Sequence, residues 1–123
     1  KTDKNAVFPS KVRLTDVGYD LTIIRVEKKW FNNIMVYDTG IKINMAQGYY
    51  AEIMPKKNLT KNGYMLANNI GIIDPSYIGR ILIALTKIDS SVPDIKLPFM
   101  CCELVFKQQI NMNMMEVIND FEN

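Results

Sequence analysis

Asn68-Asn69-Ile70-Gly71-Ile72-Ile73-Asp74-Pro75-Ser76-Tyr77-Ile78-Gly79-Arg80 is the stretch that decides how this chain folds. Apolar residues stand on both sides of Asp74-Pro75-Ser76-Tyr77. Asp is a good first residue of a turn, and Pro presets φ at the second. The spacing predicts a strand at Ile70–Asp74, the turn, and a second strand at Ile78–Ile88. Gly71 and Gly79 flank the turn, where a missing Cβ permits close backbone approach. Asp74 is the only acid inside this apolar strand, and Tyr77 is an aromatic ring beside the turn. Taken alone, these residues serve a turn as well as they serve a site, because one short motif is weak ground for chemistry.

The same punctuation recurs outward. Short runs rich in Ile, Val and Tyr alternate with Gly, Pro, Asn and Asp, which predicts an all-β, jelly-roll-like fold. Strands are expected at Leu21–Val26, Asn33–Asp38, Ile41–Met45, Tyr49–Pro55, Tyr64–Ala67, Ile70–Asp74, Ile78–Ile88, Ile95–Leu97, Met100–Lys107 and Met114–Val117. Asp38-Thr39-Gly40 and Asn62-Gly63 supply the positive φ of tight turns between them. The best place for a short helix is Leu59–Asn62, after Pro55 and before Gly63. Met112–Phe121 has apolar residues at helical spacing but reads equally as a strand and a tail, and strand is preferred. Asn119–Asn123 reads as the start of a linker.

The chain has 123 residues, room for one domain, 1–123. Hydrophobic residues make up 48% and charged residues 23%, an ordinary globular balance that argues against disorder. There is no histidine, which excludes Ser-His-Asp and Cys-His nucleophiles and every His-ligated metal site. The net charge of +2 gives no field that selects nucleic acid or a membrane as partner. No apolar run reaches the ~18 residues of a membrane span. Cys101 and Cys102 are neighbours, poorly placed to bridge each other and too few for a thiolate metal site. They read as small apolar residues on a strand of a reduced, intracellular protein, expected in the cytoplasm or nucleus, or in a virus particle if the chain is a non-catalytic scaffold. Lys28-Lys29-Trp30-Phe31 reads as an exposed strand end with Trp30 packed across it, rather than as a nucleic-acid contact. Met112, Met114 and Met115 suit either a subunit contact or the core. Lys1 stands first in place of Met, so the chain is expected to be processed or part of something longer.

The stretch at Asn68–Arg80 resembles the third motif of the trimeric dUTP pyrophosphatase (dUTPase) family, N-x-x-G-h-I-D-x-x-Y-x-G, where h is apolar. Val17-Gly18-Tyr19-Asp20-Leu21 resembles the first motif, A-G-x-D-L. Pro55-Lys56-Lys57-Asn58-Leu59 and Gly63 stand where the second belongs, and Pro98–Val105 where the fourth belongs. The landmarks occur in the family's order from about Phe8 to the end of the chain.

The resemblance implies a homotrimer with sites between subunits, splitting dUTP into dUMP and pyrophosphate. It places the uracil against the hairpin at Gly71 and against Asn68, whose amide carries both a donor and an acceptor. It puts Tyr77 under the deoxyribose, where a 2′-hydroxyl would be crowded or left unpaired. It gives Asp74 the water that attacks the α-phosphate. Lys56, Lys57 and Asn58 fall to the phosphates, and Asp20 to water-mediated contact with Mg²⁺, which suits hard oxygen ligands.

The departures gather on the phosphate side. Lys56-Lys57 replaces an Arg-Ser pair, losing a bidentate fork and a compact hydroxyl donor. Met100 stands where Arg is usual, Glu103 where Gln is usual, and Pro98-Phe99 in place of a Gly-acid pair. Arg80 occupies a position often Glu or Gln and is a further candidate for phosphate. The family's glycine-rich fifth motif is absent from the sequence. Each lost, well-placed donor is worth roughly 2.7–4 kcal/mol of transition-state stabilisation. Two expectations therefore stand side by side. One is a divergent dUTP diphosphatase that holds phosphate with lysines. The alternative is a catalytically dead trimer acting as a structural or interaction module, possible virion components included.

Overall fold

A computed structural model describes residues 1–118. The strands are β1 (Tyr19–Ile23), β2 (Arg25–Phe31), β3 (Ile34–Asp38), β4 (Tyr49–Pro55), β5 (Tyr64–Leu66), β6 (Gly71–Ile73), β7 (Leu82–Lys87) and β8 (Phe99–Gln108), with one short helix, α1 (Lys57–Lys61), between β4 and β5. They form two four-stranded sheets, ordered β1-β8-β4-β6 and β2-β3-β7-β5, and every pairing is antiparallel. The all-β expectation holds.

The core lies between the sheets. One sheet sends in Leu21, Ile23, Ala51, Ile53, Ile73 and Leu104; the other sends in Tyr37, Ile83, Leu85, Tyr64 and Leu66. Cys101 and Cys102 are fully buried on β8 and unbridged, and the hydrogen bond with Cys101, together with burial, pushes the Cys102 thiol far up. The central strand β4 buries Ala51, Glu52 and Ile53 in succession. Glu52 tolerates this because Tyr50 Oη donates to it at 3.0 Å and Lys107 Nζ lies 3.2 Å away.

The bounds of β4 agree with the sequence reading at both ends, whereas Leu21–Val26 divides into β1 and β2 at Ile24. Ile41–Met45, Ile95–Leu97 and Met114–Val117 are not strands. Ile41 is buried and its carbonyl accepts from Ile81 N–H at 2.8 Å, so this segment packs without joining a ladder. Ile95–Leu97 lies between Pro93 and Pro98, which have no N–H to give a ladder. Met112, Met114 and Met115 are 73%, 91% and 86% exposed, so they are not core residues, and no face of that segment is buried. The expected linker at Asn119–Asn123 lies outside the described residues. Trp30 is not packed across its strand; it is 55% exposed and stacks on Phe31. Among the described residues no helix is long and apolar enough to cross a membrane.

The turn at Asp74–Tyr77 is a second correction. Tyr77 N–H donates to the Asp74 carbonyl at 3.1 Å, which closes the turn. The flanking strands do not form a hairpin, because β6 pairs with β4 while β7 pairs with β3 and β5. The reason is burial. Gly71 and Ile73 point into the core from one sheet, Ile83 and Leu85 from the other. Residues 74–81 therefore carry the chain across from sheet to sheet.

Helix α1 begins two residues before the expected Leu59–Asn62 and ends at Lys61, where Asn62 N–H donates to Asn58 and Leu59 carbonyls. Its single buried side chain is Leu59, at 0% exposure. A five-residue helix is not stable by itself, so Leu59 holds it to the body. Leu59→Ala is expected to lower unfolding free energy by about 2–5 kcal/mol in urea, with an unchanged slope.

Candidate functional site

The residues singled out in the sequence fall into two groups, one beyond the Pro55 end of β4 and the other running along β6 to the turn at Asp74. The register Ala51↔Ile73 and Ile53↔Gly71 puts Asp74 beyond the Tyr50 end, while Lys56 follows Pro55 at the other. A strand rises about 3.3 Å per residue, so the Ala51 rung and Pro55 are roughly 13 Å apart, with each group lying beyond its end.

The first group lines a cleft of about 470 Å³ formed by Pro55, Lys56, Lys57, Asn58, Lys61 and Glu103. Lys57 and Lys61 sit one helical turn apart on α1 and make no ion pair or hydrogen bond among the described residues. Lys56 Nζ donates to Asp20 Oδ1 at 2.5 Å. That hydrogen bond holds the ammonium above its usual value, and Glu103 and Asp16 add to the effect. The cleft is thus cationic, with Lys56 tied and the two helix lysines free to meet an anion. Lys61 was missed in the sequence because the helix was placed too late to pair it with Lys57 at i, i+4.

Glu103 faces Asp20 directly across β1 and β8. Like charges in that position repel, and Lys56 relieves the pair. A Cβ on Gly18 would lie 2.8 Å from the Glu103 side chain. Only glycine leaves Glu103 room to lie over β1, which gives the first landmark a local physical cause. Asn58 Nδ2 donates to the Met100 carbonyl at 2.7 Å, and its Oδ1 is buried without a partner. A buried acceptor without a donor calls for a water or ligand N–H or O–H.

These residues suit a hydrated Mg²⁺ carried in on phosphates. Among the described residues no group of three or more acidic or sulfur ligands could cage a metal. Mg²⁺ commonly keeps its waters and takes one or two carboxylates plus substrate phosphate. Asp20, Glu103 and the unpartnered Asn58 Oδ1 are oxygens of that kind.

The second group surrounds the turn. Gly71 is buried, and a Cβ there would press on Ile53 at 3.2 Å. Asn68 is exposed in the loop before β6, at the Lys56 end of the sheet, with Asn69 after it in the left-handed region at φ 62°. Asp74 is exposed at the other end of β6, and its carboxylate makes no hydrogen bond or ion pair among the described residues. Tyr77 is 43% exposed, and its hydroxyl donates to the Arg80 carbonyl at 2.5 Å. A Cβ on Gly79 would come within 2.7 Å of that hydroxyl, so glycine lets the ring fold over the backbone.

Arg80 is not available to phosphate. Its guanidinium donates to Asp38 Oδ2 at 2.5 Å and reaches Glu27 at 3.4 Å. Nothing in the local sequence signals this, because Asp38 is 42 residues away.

The model of the dUTPase family matches residues 4–123. A deoxyuridine 5'-triphosphate nucleotidohydrolase of Clostridium novyi is 28% identical over 120 residues, covering 96% of this chain and 84% of that one. The enzyme of the same name from Escherichia phage T5 is 25% identical over 88 residues, 72% of this chain and 60% of its own. A dUTPase structure from phage phi11 of S. aureus, described for its coordination of a structural Mg(II) ion, superposes with a TM-score of 0.78 at 15% identity, covering 96% of this chain and 94% of that one. With the landmarks in order on a two-sheet β fold and the family model spanning nearly the whole sequence, the chain belongs to the dUTPase family.

Proposed function

We propose that this chain hydrolyses dUTP to dUMP and pyrophosphate in sites built between copies of itself. The observation that carries the reading is the polarity of the two groups along β4. β6 lies between Asn68 and Asp74; its three residues span on the order of 10 Å of extended chain, about the length of a nucleoside, and Asn69 and Ile70 turn the chain just before it. If Asn68 and Gly71 hold the base, the sugar lies toward Tyr77 and the α-phosphate toward Asp74. The lysines of the same chain stand at the base end, the wrong end for phosphate. A second copy has to bring its Lys56, Lys57, Asn58 and Lys61 to the Asp74 end. Closed cyclic symmetry, a homotrimer in this reading, gives every copy one such site.

The chemistry then divides between copies. The Asp74 carboxylate accepts a proton from a water whose oxygen attacks the α-phosphorus. The bond from that phosphorus to the bridging oxygen breaks, and pyrophosphate leaves with the electron pair. The cleft lysines offset the charge growing on the leaving group. Asp20, Glu103 and Asn58 Oδ1 would hold a hydrated Mg²⁺, which would supply charge neutralisation at the phosphates. Glu103 is one of the departures that argue for a dead site, beside Lys57, Met100 and the absent fifth motif. Sharing the cleft with three lysines, it removes less positive charge than they supply.

Calorimetric titration with a non-hydrolysable dUTP analogue and Mg²⁺ tests the reading. Micromolar or tighter binding is expected, with the UTP and dCTP equivalents weaker by roughly tenfold or more. A folded oligomer that binds none of the three sinks it.

A further inference from the structure

The geometry points to Arg80, anchored by Asp38, as the positioning residue that sets the Tyr77 ring and so the preference for a deoxyribose. This inference rests on the proposed function. It starts from a fully buried carboxylate that the hydrolysis does not use. Asp38 is 0% exposed and ends β3, opposite Arg25 on β2 and Leu82 on β7. Its Oδ1 accepts from Gly40 N–H at 2.8 Å, and its Oδ2 from Arg25 Nη2 at 2.6 Å and Arg80 Nη1 at 2.5 Å. Arg25 also pairs with Asp3, and Arg80 with Glu27. Two guanidiniums are thus matched by three acids, and a charge that would be costly to bury alone is paired and hydrogen-bonded.

The anchor acts on the turn through one residue. The backbone beside Arg80 is clamped on the same side: Thr39 N–H and Oγ1 donate to the Ile81 carbonyl, and Ile81 N–H donates to Ile41. The Arg80 carbonyl is therefore a fixed acceptor, and the Tyr77 hydroxyl is bonded to it. Gly79 leaves the space the ring needs. The turn has no hairpin partner across it, because its strands diverge to different sheets. The hydroxyl bond is the ring's one polar tie to the body among the described residues, and the Arg80–Asp38 pair holds the residue that accepts it. A plate that swings no longer excludes a 2′-hydroxyl.

The test uses the full chain, with dUMP and UMP as probes in calorimetry. Arg80→Ala is expected to weaken dUMP binding roughly tenfold and to narrow the dUMP-to-UMP preference, since small misplacements of a contact cost heavily. Tyr77→Phe should do the same, and the double variant should lose little more than either, because both cut one chain of contacts. Arg80→Lys, which keeps the charge toward Asp38, should recover part of the preference. A structural role alone would lower the melting temperature and weaken both nucleotides alike. Asp38→Asn is the harsher variant, and Arg80→Ala decides the matter if that protein does not fold. An Arg80→Ala chain that binds and discriminates as the unaltered one does, or losses that add in the double variant, overturns the inference and leaves the proposed function standing. An unaltered chain that binds neither dUMP nor the dUTP analogue overturns both.

Discussion

Asp74→Asn is expected to lower kcat for pyrophosphate release by about 10²–10⁴-fold while leaving affinity for a non-hydrolysable dUTP analogue within a few-fold of the unaltered value. The asymmetry follows from what the side chain does in the structure. Its carboxylate makes no hydrogen bond or ion pair among the described residues, and the turn is closed by the main-chain carbonyl of Asp74, which asparagine keeps. Asparagine has nearly the same shape and still accepts a hydrogen bond from water. It carries no charge with which to take the proton. Fold, oligomer and nucleotide binding should survive, and only the step that needs a base should fail. Single-turnover release of pyrophosphate, measured beside the melting temperature, checks this. Turnover that persists would remove Asp74 from the role of base.

The second large effect is a recovery of activity from two inactive chains. Lys57→Ala with Lys61→Ala should lose phosphate binding without harming the fold, because neither ammonium has a partner among the described residues. Lys56 is the poorer choice, since its removal strands Asp20 beside Glu103. Suppose this double variant and Asp74→Asn are unfolded together in equal amounts and refolded. If each site takes its turn from one copy and its lysines from another, about one quarter of the sites pair an intact turn with an intact cleft. Activity should return to about that fraction of the unaltered protein's. If each site were contained in one chain, no mixed oligomer would hold an intact one, and the mixture would stay as inactive as its parts. The polarity of Asn68 and Asp74 along β6 predicts the recovery.

The turn chemistry and the central strand were legible in the residues. Tyr49–Pro55 is a short, mostly apolar run bounded by Gly48 and Lys56, and both ends of β4 agree with that reading. Ile78–Ile88 was over-read, because Ile78 looks like the start of a strand. Ile78 is 85% exposed and the ladder begins only at Leu82, after the chain has crossed between sheets. Met114–Val117 was over-read for a related reason. Apolar composition can propose a strand, but a strand also needs a neighbour with free N–H and C=O groups. The candidate site divides the same way. Asp74, Tyr77, Gly71 and Asn68 were found from one contiguous motif. Lys61 needed the register of a short helix, and the anchor at Asp38 needed the fold.

By itself the sequence determined the class of fold, the turn and the kinds of group offered to a nucleotide. Those are local facts, set by side-chain period, by φ preferences and by which residues carry charge or an aromatic face. Only the tertiary structure decided that Asp74 lies at the far end of the sheet from the Lys56 cleft, and that the Arg80 guanidinium is held by Asp38. Both depend on which strands become neighbours. Ion pairs and hydrogen bonds act over a few ångströms, whatever the distance along the chain.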